Sequence, residues 1–268
     1  MKTIENFSQI TNLYKFAITL KLKTPLHIGG NQDDGLTSDL PIMKTADGRP
    51  YIPGSSLKGI LRSASERLSH LLTDEKPSCF LENGGCRPQE KKEIERTITS
   101  GDEEKAFKQI YSELCPICQT YGGGSISSKV KVNHVYFDGE TKTRVREGIK
   151  INRETGTVEG GALFNYEYIQ PGIQFTIEVE AENLTETNKK VLALAFAQFK
   201  QNLLRIGGLQ ARGLGEVEFV EGTFEEVNLS SDFRKESIAY LLGMTHSNQQ
   251  KELDLFLRQS LLEEGGQS

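Results

Sequence analysis

All four cysteines of the chain fall between residues 79 and 118, a clustering typical of a metal site. Six residues separate Cys79 from Cys86, two separate Cys115 from Cys118, and 28 lie between the two pairs. Two thiolates on the tight turn at Cys115 and Cys118 suit one tetrahedral zinc ion, and Cys79 with Cys86 complete the set. Four sulfur ligands leave no position for water, so the pattern predicts a structural zinc. Four reduced thiols are the alternative.

A polar loop over residues 29–41 carries three aspartates, Asp33, Asp34 and Asp39. A carboxylate in such a loop can bind a hydrated divalent ion or orient a nucleophile. Asp39 differs from the other two because it lies just before Pro41, where the backbone is more constrained. By spacing alone, however, all three are explained equally well as a solvated turn.

The segment Gly54-Ser-Ser-Leu-Lys-Gly59 predicts the start of a helix, with Ser55 or Ser56 as its N-cap. Free backbone N–H groups, two hydroxyls, the helix dipole and Lys58 would converge there. Such a combination binds phosphate. An ordinary capped helix is the alternative.

A second anion-binding candidate is the glycine loop over residues 205–215. It combines two arginines, which grip phosphate as a planar fork, with glycines that let the backbone approach a polyanion. The loop contains neither a Walker motif nor the dinucleotide fingerprint. Its candidate residues are Arg205, Gly207, Gly208, Arg212, Gly213 and Gly215.

Residues 142–153 form a basic stretch with a single acidic side chain, Glu147. An exposed basic hairpin suits a nucleic-acid backbone, although a solvated charged ribbon is also possible. Its candidate contacts are Arg144, Arg146, Lys150 and Arg153.

The four histidines predict no catalytic triad. His27 lies between apolar residues at a strand end and is read as structural. His70 or His134 is an alternative fourth ligand of the metal site, since the loop between Cys79 and Cys86 is long.

Composition is compatible with a nucleic-acid binder despite a net charge of −5. The segment from Glu221 to Ser268 holds nine acidic and four basic side chains, which accounts for the whole excess. The body is therefore neutral and can present a basic face. No 18-residue apolar run and no apolar leader is present, so we expect a cytoplasmic protein that does not contact a membrane.

Hydrophobic periodicity predicts the elements that position these residues. Alternation over residues 16–22 indicates a strand, and helical spacing over 57–72 and 187–204 indicates two helices. Strands are expected over 129–138, 162–169, 173–179 and 214–221. This order predicts an α+β, ferredoxin-like core over 14–222, with an insertion over 73–128 and an acidic helical tail over 223–268.

Several of these motifs, in this order, resemble the RAMP superfamily and, more narrowly, Cas seven family backbone subunits of type III CRISPR effector complexes. The resemblance rests on Thr24-Pro-Leu-His-Ile-Gly-Gly30, Asp47-Gly-Arg-Pro-Tyr-Ile-Pro-Gly-Ser-Ser-Leu-Lys-Gly-Ile-Leu-Arg62, Cys115-Pro-Ile-Cys-Gln-Thr-Tyr-Gly122 and Gly207-Gly-Leu-Gln-Ala-Arg-Gly-Leu-Gly-Glu-Val217. It covers residues 14–222.

The resemblance implies an RRM-like ferredoxin fold and copies of the chain arrayed along a guide RNA (crRNA). The glycine loop and the helix from Ser55 to Arg62 would face the guide backbone. A thumb hairpin, within residues 139–168, would wedge between bases. The matching catalytic position is Asp39, with Asp33 and Asp34 as secondary candidates, and Mg²⁺ or another divalent ion would assist cleavage of target RNA.

Three RNA-directed functions compete at this point, beside a zinc-stabilised protein-interaction module unrelated to RNA. The first is a guide-binding subunit that cuts paired target RNA with a divalent ion. The second is a non-catalytic guide-binding scaffold within the same complex, where other type III CRISPR subunits do the cutting. The third, ranked last, is a metal-independent ribonuclease that processes the guide precursor.

Overall fold

The computed structural model describes residues 7, 9–30, 38–73, 78–81, 86, 103–137, 140–229, 233–244 and 250–262, with backbone only at residues 150 and 159–163. Asp33 and Asp34 lie outside the described residues. The strands are β1 (Asn12–Leu22), β2 (Tyr51–Ile52), β3 (Val130–Val132), β4 (Val135–Tyr136), β5 (Thr143–Ile151), β6 (Val158–Ile169), β7 (Gln174–Glu182), β8 (Val217–Asn228) and β9 (Lys251–Glu252). The helices are α1 (Gly54–Leu68), α2 (Glu103–Glu113), α3 (Pro116–Tyr121), α4 (Glu186–Lys200), α5 (Arg234–Leu241) and α6 (Leu253–Leu261).

The core is a five-stranded antiparallel sheet in the order β3-β7-β1-β8-β9. Its central strand β1 alternates as the sequence predicts. Phe16, Ile18 and Leu20 are buried on one face, because side chains two apart share a face of a strand. The fold is therefore mixed α and β with antiparallel sheets.

Helices α1, α4 and α6 pack on the buried face of this sheet. The N-terminus of α4 carries a capping box, in which Thr185 and Asn188 satisfy each other's backbone N–H groups. Phe256 of α6 sits 4.8 Å from Phe16 and 5.5 Å from Phe224, measured between ring centroids. The last helix thus belongs to the core, and the boundary predicted at 222/223 falls inside β8.

Helix α1 begins at Gly54, slightly earlier than the N-cap predicted at Ser55 or Ser56. The carbonyl oxygen of Pro53 accepts hydrogen bonds from Ser56 and Leu57, and the Gly54 N–H donates to His134 Nδ1 at 2.8 Å. His134 thus takes the capping role that the sequence predicted for a serine. Local sequence patterns do not reveal this contact, because His134 lies 80 positions from Gly54.

Strands β5 and β6 form a separate two-stranded antiparallel hairpin. Sequence reasoning gave bounds for the second of these strands, 162–169, and expected a basic hairpin around residues 142–153 without bounds for β5. The described part of the chain contains no helix long and apolar enough to cross a membrane.

Candidate nucleic-acid interface and metal centre

The four cysteine Sγ atoms all lie within 4.8 Å of one another. Cys115 is the N-cap residue of α3, Cys118 lies in its first turn, and the Sγ atoms of Cys79 and Cys118 are 3.5 Å apart. Sulfur ligands at about 2.3 Å from a tetrahedral ion are separated by about 3.8 Å. The donor set and its spacing therefore fit a metal ion, and small adjustments suffice to close the site.

The cluster consists of cysteines alone among the described residues. His134 Nδ1 is occupied by the Gly54 N–H, and His70 lies exposed at the end of the short 3₁₀ turn after α1. The alternative in which a histidine replaces one cysteine is therefore not what the structure assembles.

Thiolate character concentrates on Cys118. A hydrogen bond from the Cys115 thiol, together with one from the Arg62 guanidinium, lowers the pKa of Cys118 to about 4. The same contact with Cys118, and then burial, raises the pKa of Cys115. Metal ligation requires thiolates, and the hydrogen bond from the Arg62 guanidinium favours the thiolate at Cys118.

Arg62 uses all three of its nitrogen atoms inside the protein. Its Nε donates to Glu66 at 2.9 Å, one terminal nitrogen donates to the Gly122 carbonyl at 2.7 Å, and the other donates to Cys118 Sγ at 3.3 Å. Its side chain is only 13% exposed. Of the residues that the resemblance assigns to RNA, this one is turned toward the cysteines.

A second set of candidate residues meets at the base of the hairpin, where β6 ends. Residues 164–169 of this strand contact, in turn, the glycine loop, the aspartate loop and the loop that follows β1 at Leu26. Sequence reasoning proposed these loops separately and gave no reason for them to meet. It predicted the strand itself, over 162–169, but not the contacts of this strand with both loops.

Asp39 is bound to β6 by a reciprocal pair of hydrogen bonds. The Asp39 N–H donates to Asn165 Oδ1 at 2.6 Å, and the Asn165 N–H donates to Asp39 Oδ2 at 2.8 Å. The next residue, Leu40, forms a parallel bridge with Tyr166. The Asp39 residue is exposed, so its carboxylate is held in place at the surface.

Glu167 fixes the neighbouring part of the aspartate loop. Its carboxylate pairs with Lys44 at 2.5 Å, and its carbonyl oxygen lies 2.8 Å from His27 Nδ1. Burial alone would raise the pKa of Glu167, but the hydrogen bonds from Lys44 and Thr143 more than offset this, so the pKa is lowered. His27 is buried beneath the glycine loop, which agrees with its structural interpretation.

The glycine loop is folded against His27 and presents its arginine side chains. Gly207 has φ +81°, and a Cβ there would lie 2.3 Å from the His27 carbonyl oxygen, so glycine is required. The N–H groups of Gly208, Gly213 and Gly215 donate to carbonyl oxygens of the protein. The amide cradle expected at these three glycines is therefore already occupied.

Arg212 links the loop to the hairpin. Its guanidinium lies 4.7 Å from the centroid of the Phe164 ring, within cation–π range. The opposite strand accommodates this ring, because a Cβ on Gly148 would lie 2.3 Å from it. Arg212 is itself exposed and presents its charge to solvent.

A groove of about 370 Å³ separates α1 from the start of the glycine loop. Ser56 and Gly59 line it on the helix side, and Arg205 and Gln210 line it on the loop side. Ser55 is exposed beside it, whereas Lys58 is partly buried, and its burial and then the charge of Arg62 lower its pKa. The two predicted phosphate-binding segments thus face each other.

The described basic side chains of the hairpin, Arg144, Arg146 and Arg153, are exposed. Only the backbone of Lys150 is described. Apolar side chains are exposed beside them, with Val145 at 45%, Ile149 at 52% and Ile151 at 56%. A hairpin that exposes both arginines and aliphatic side chains is suited to a partner with charged and flat surfaces.

The open face of the sheet has the opposite character. Glu180 of β7 and Glu225 of β8 lie opposite Lys15 on β1, and Glu178 and Glu221 lie on the same face opposite Ala17 and Thr19. RNA-binding sheets of the RRM type stack bases on aromatic side chains, and β1 and β7 place none on this face. The cationic groups therefore lie at the loops.

Comparison with known proteins agrees with this geometry. A family model described as the RAMP superfamily matches residues 19–218, well over half of the chain. The chain is also 26% identical over 216 residues to the CRISPR system Cms endoribonuclease Csm3 of Methanocaldococcus jannaschii, an alignment that covers 75% of each protein. The matched span includes α1, the cysteine pair of α3, the hairpin and the glycine loop. The chain belongs to the RAMP superfamily.

Proposed function

We propose that this protein is a guide-RNA-binding backbone subunit of a type III CRISPR effector complex and that it cuts the paired target RNA. The observation that carries the proposal is the meeting of Asp39, Arg212 and the hairpin at the end of β6. Similarity to a CRISPR endoribonuclease supports the same activity. Its partners would be crRNA, target RNA, other type III subunits and further copies of itself, all in the cytoplasm.

The core of this subunit is proposed to be ferredoxin-like and RRM-like, over residues 14–222. Support comes from the order β1-α1-β3-β7-α4-β8 along the chain, with the sheet order β3-β7-β1-β8 and every neighbouring pair antiparallel. Residues 139–168 act as the thumb, and residues 73–128 as the metal-binding insertion. The acidic open face of the sheet is left to protein contacts.

Guide RNA is proposed to lie along the groove between α1 and the glycine loop. Ser55, Ser56 and Lys58 contact phosphates from the helix, and Arg212 contacts them from the loop. The loop leaves room for the RNA backbone to approach, because it has no side chains at Gly207, Gly208, Gly213 and Gly215. The sugar–phosphate chain then continues past Arg144, Arg146, Lys150 and Arg153 on the thumb.

Cleavage is proposed to use Asp39, held by Asn165 at the base of the thumb. A thumb that splays a target nucleotide places its 2′-hydroxyl in line with the adjacent phosphate. Asp39 would orient this hydroxyl and, with the RNA phosphates, hold Mg²⁺, which neutralises charge that develops on the phosphate. One exposed carboxylate is sufficient for that role, because Mg²⁺ keeps most of its water ligands.

The test is cleavage of an end-labelled, guide-complementary RNA by the purified assembly. We expect regularly spaced cuts with the wild type that disappear with Asp39→Ala and when Mg²⁺ is omitted, while guide binding is retained. Asp47→Ala is the matched control, since it removes another exposed carboxylate from a nearby turn. Undiminished cutting by Asp39→Ala would refute the assignment, and binding without any cuts would leave a scaffold subunit.

The four cysteines, Cys79, Cys86, Cys115 and Cys118, are proposed to hold a structural Zn²⁺. Four thiolates close the coordination sphere, and such a site contributes on the order of 10 kcal/mol to folding. We expect one zinc per chain by metal analysis of the purified protein. Cys118→Ser is expected to abolish retention of the ion, and a zinc-free wild-type preparation that remains fully folded would contradict the proposal.

A further inference from the structure

The side chain of Arg62 is the one described cation hydrogen-bonded to the cysteine cluster. Its position is fixed from three sides, by Glu66 on its own helix, by the Gly122 carbonyl at the end of α3, and by Cys118 Sγ. An arginine that binds RNA at the protein surface leaves the N–H groups of its guanidinium exposed to solvent. The Arg62 guanidinium is instead closed off by its own helix and by α3, which carries Cys118.

Charge explains why a cation is needed there. A zinc ion bound by four thiolates carries a net charge of −2, and burying that charge is unfavourable unless it is compensated. Three of the four cysteines are buried. The Arg62 guanidinium compensates part of this charge and donates an N–H group to a ligand sulfur, which stabilises the thiolate. Arginine stays protonated in proteins, so this compensating charge is permanent.

We infer that Arg62 is an outer-sphere ligand of the metal centre and that it attaches helix α1 to that centre. This inference rests on the proposed metal site and not on RNA cleavage. Arg62 lies one turn beyond Lys58 on α1, the helix whose exposed start lines the groove. Metal binding and the position of the groove wall are therefore connected through one side chain.

The first test is metal affinity. Arg62→Met keeps an unbranched side chain of similar length but removes the charge and the donors. We expect the dissociation constant for Zn²⁺, measured by competition with a chromophoric chelator, to rise roughly 10- to 100-fold, the effect typical of outer-sphere substitutions. Arg62→Lys should recover part of the loss, because it restores the charge without the fork.

Two control variants separate this role from general packing. Arg67→Met removes the same charge from the same helix at an exposed position and should leave zinc affinity unchanged. Glu66→Gln removes the ion pair but keeps the contact with Cys118, and should weaken binding less than Arg62→Met does.

A spectroscopic measurement reports on the sulfur atom itself. With Co²⁺ in place of Zn²⁺, loss of the N–H···S hydrogen bond should shift the sulfur-to-metal charge-transfer band of Arg62→Met to longer wavelength, and Arg67→Met should not shift it. A wild type that binds neither metal would refute the proposed zinc site. A wild type that binds metal, with Arg62→Met equal to it in affinity and spectrum, would refute the inference alone. Should Arg62→Met fail to fold, Arg62→Lys decides the question: a zinc affinity and a charge-transfer band both equal to those of the wild type would refute the inference.

Discussion

Two glycines of helix α1 should respond in opposite ways to the same substitution. A Cβ added at Gly59 would meet no atom within 4 Å, whereas a Cβ at Gly54 would lie 2.0 Å from the Val132 carbonyl oxygen. Both residues belong to one helix, and they are five positions apart. Comparing the two Gly→Ala substitutions therefore separates the effect of the space around the added Cβ from the effect of helix propensity.

Gly59→Ala should stabilise the protein. Alanine in a helix interior is favoured over glycine by about 0.5–1 kcal/mol, because glycine loses more backbone entropy on folding. For a chain of this size that gain corresponds to a rise in Tm of about 1–4 °C. Gly54→Ala should instead lower the free energy of unfolding by about 1–3 kcal/mol or more, since the obstacle is backbone that cannot move aside.

Thermal unfolding followed by circular dichroism, and urea unfolding at 25 °C, would measure both changes. A Tm for Gly59→Ala at or below the wild-type value would refute the reasoning, and so would a Gly54→Ala protein of unchanged stability. Gly59→Leu then tests the groove, because the larger side chain fills space that RNA would occupy. We expect RNA affinity to fall about tenfold, equivalent to about 1.4 kcal/mol, in a protein that remains folded.

Three further predictions concern the hairpin base and the last helix. Because the pKa of Glu167 is lowered in the folded protein, its carboxylate contributes fully to the free energy of unfolding above about pH 4.5, and this contribution is lost as the pH falls through the folded-state pKa. Glu167→Gln should lower the free energy of unfolding at pH 7 by about 1–3 kcal/mol and reduce its dependence on acid pH, as measured by urea titrations. Arg212→Ala should weaken RNA binding and reduce the slope of log affinity against log salt concentration by about 0.7, whereas Arg258→Ala, on the last helix, should change neither. Phe256→Ala should reduce the free energy of unfolding by about 3–5 kcal/mol in urea titrations, and a loss below 1 kcal/mol would show that α6 is not part of the core.

Sequence reasoning located the elements with strong periodicity and missed those held by distant partners. The alternation around Phe16 and Ile18 was sufficient to place β1, since it depends only on neighbours along the chain. The extension of β8 to Asn228 and the packing of α6 depend on tertiary contacts and were not foreseen. The bounds of β5 were not predicted, because its exposed residues are selected by solvent or partners rather than by a core.

The candidate site shows the same division. The cysteine spacing predicted that the four cysteines come together, and their Sγ atoms do lie within 4.8 Å of one another. The position of Arg62 could not be predicted, since basic residues on a helix face solvent by default. The contact between Asp39 and Asn165 spans 126 positions and leaves no trace in local composition.

The base of the hairpin has a consequence for how its length can vary. All of the described contacts between β6 and the three loops involve its last six residues, and the strand extends back to Val158. Residue pairs added to or removed from both strands near the 152–157 turn would change the reach of the hairpin while leaving Asp39, Arg212 and Lys44 in place. An odd insertion in β6 alone would reverse the faces of every side chain beyond it. The distance that the hairpin spans against a partner can thus be lengthened or shortened in steps of two residues per strand. The contacts of Asp39, Arg212 and Lys44 at its base would not change.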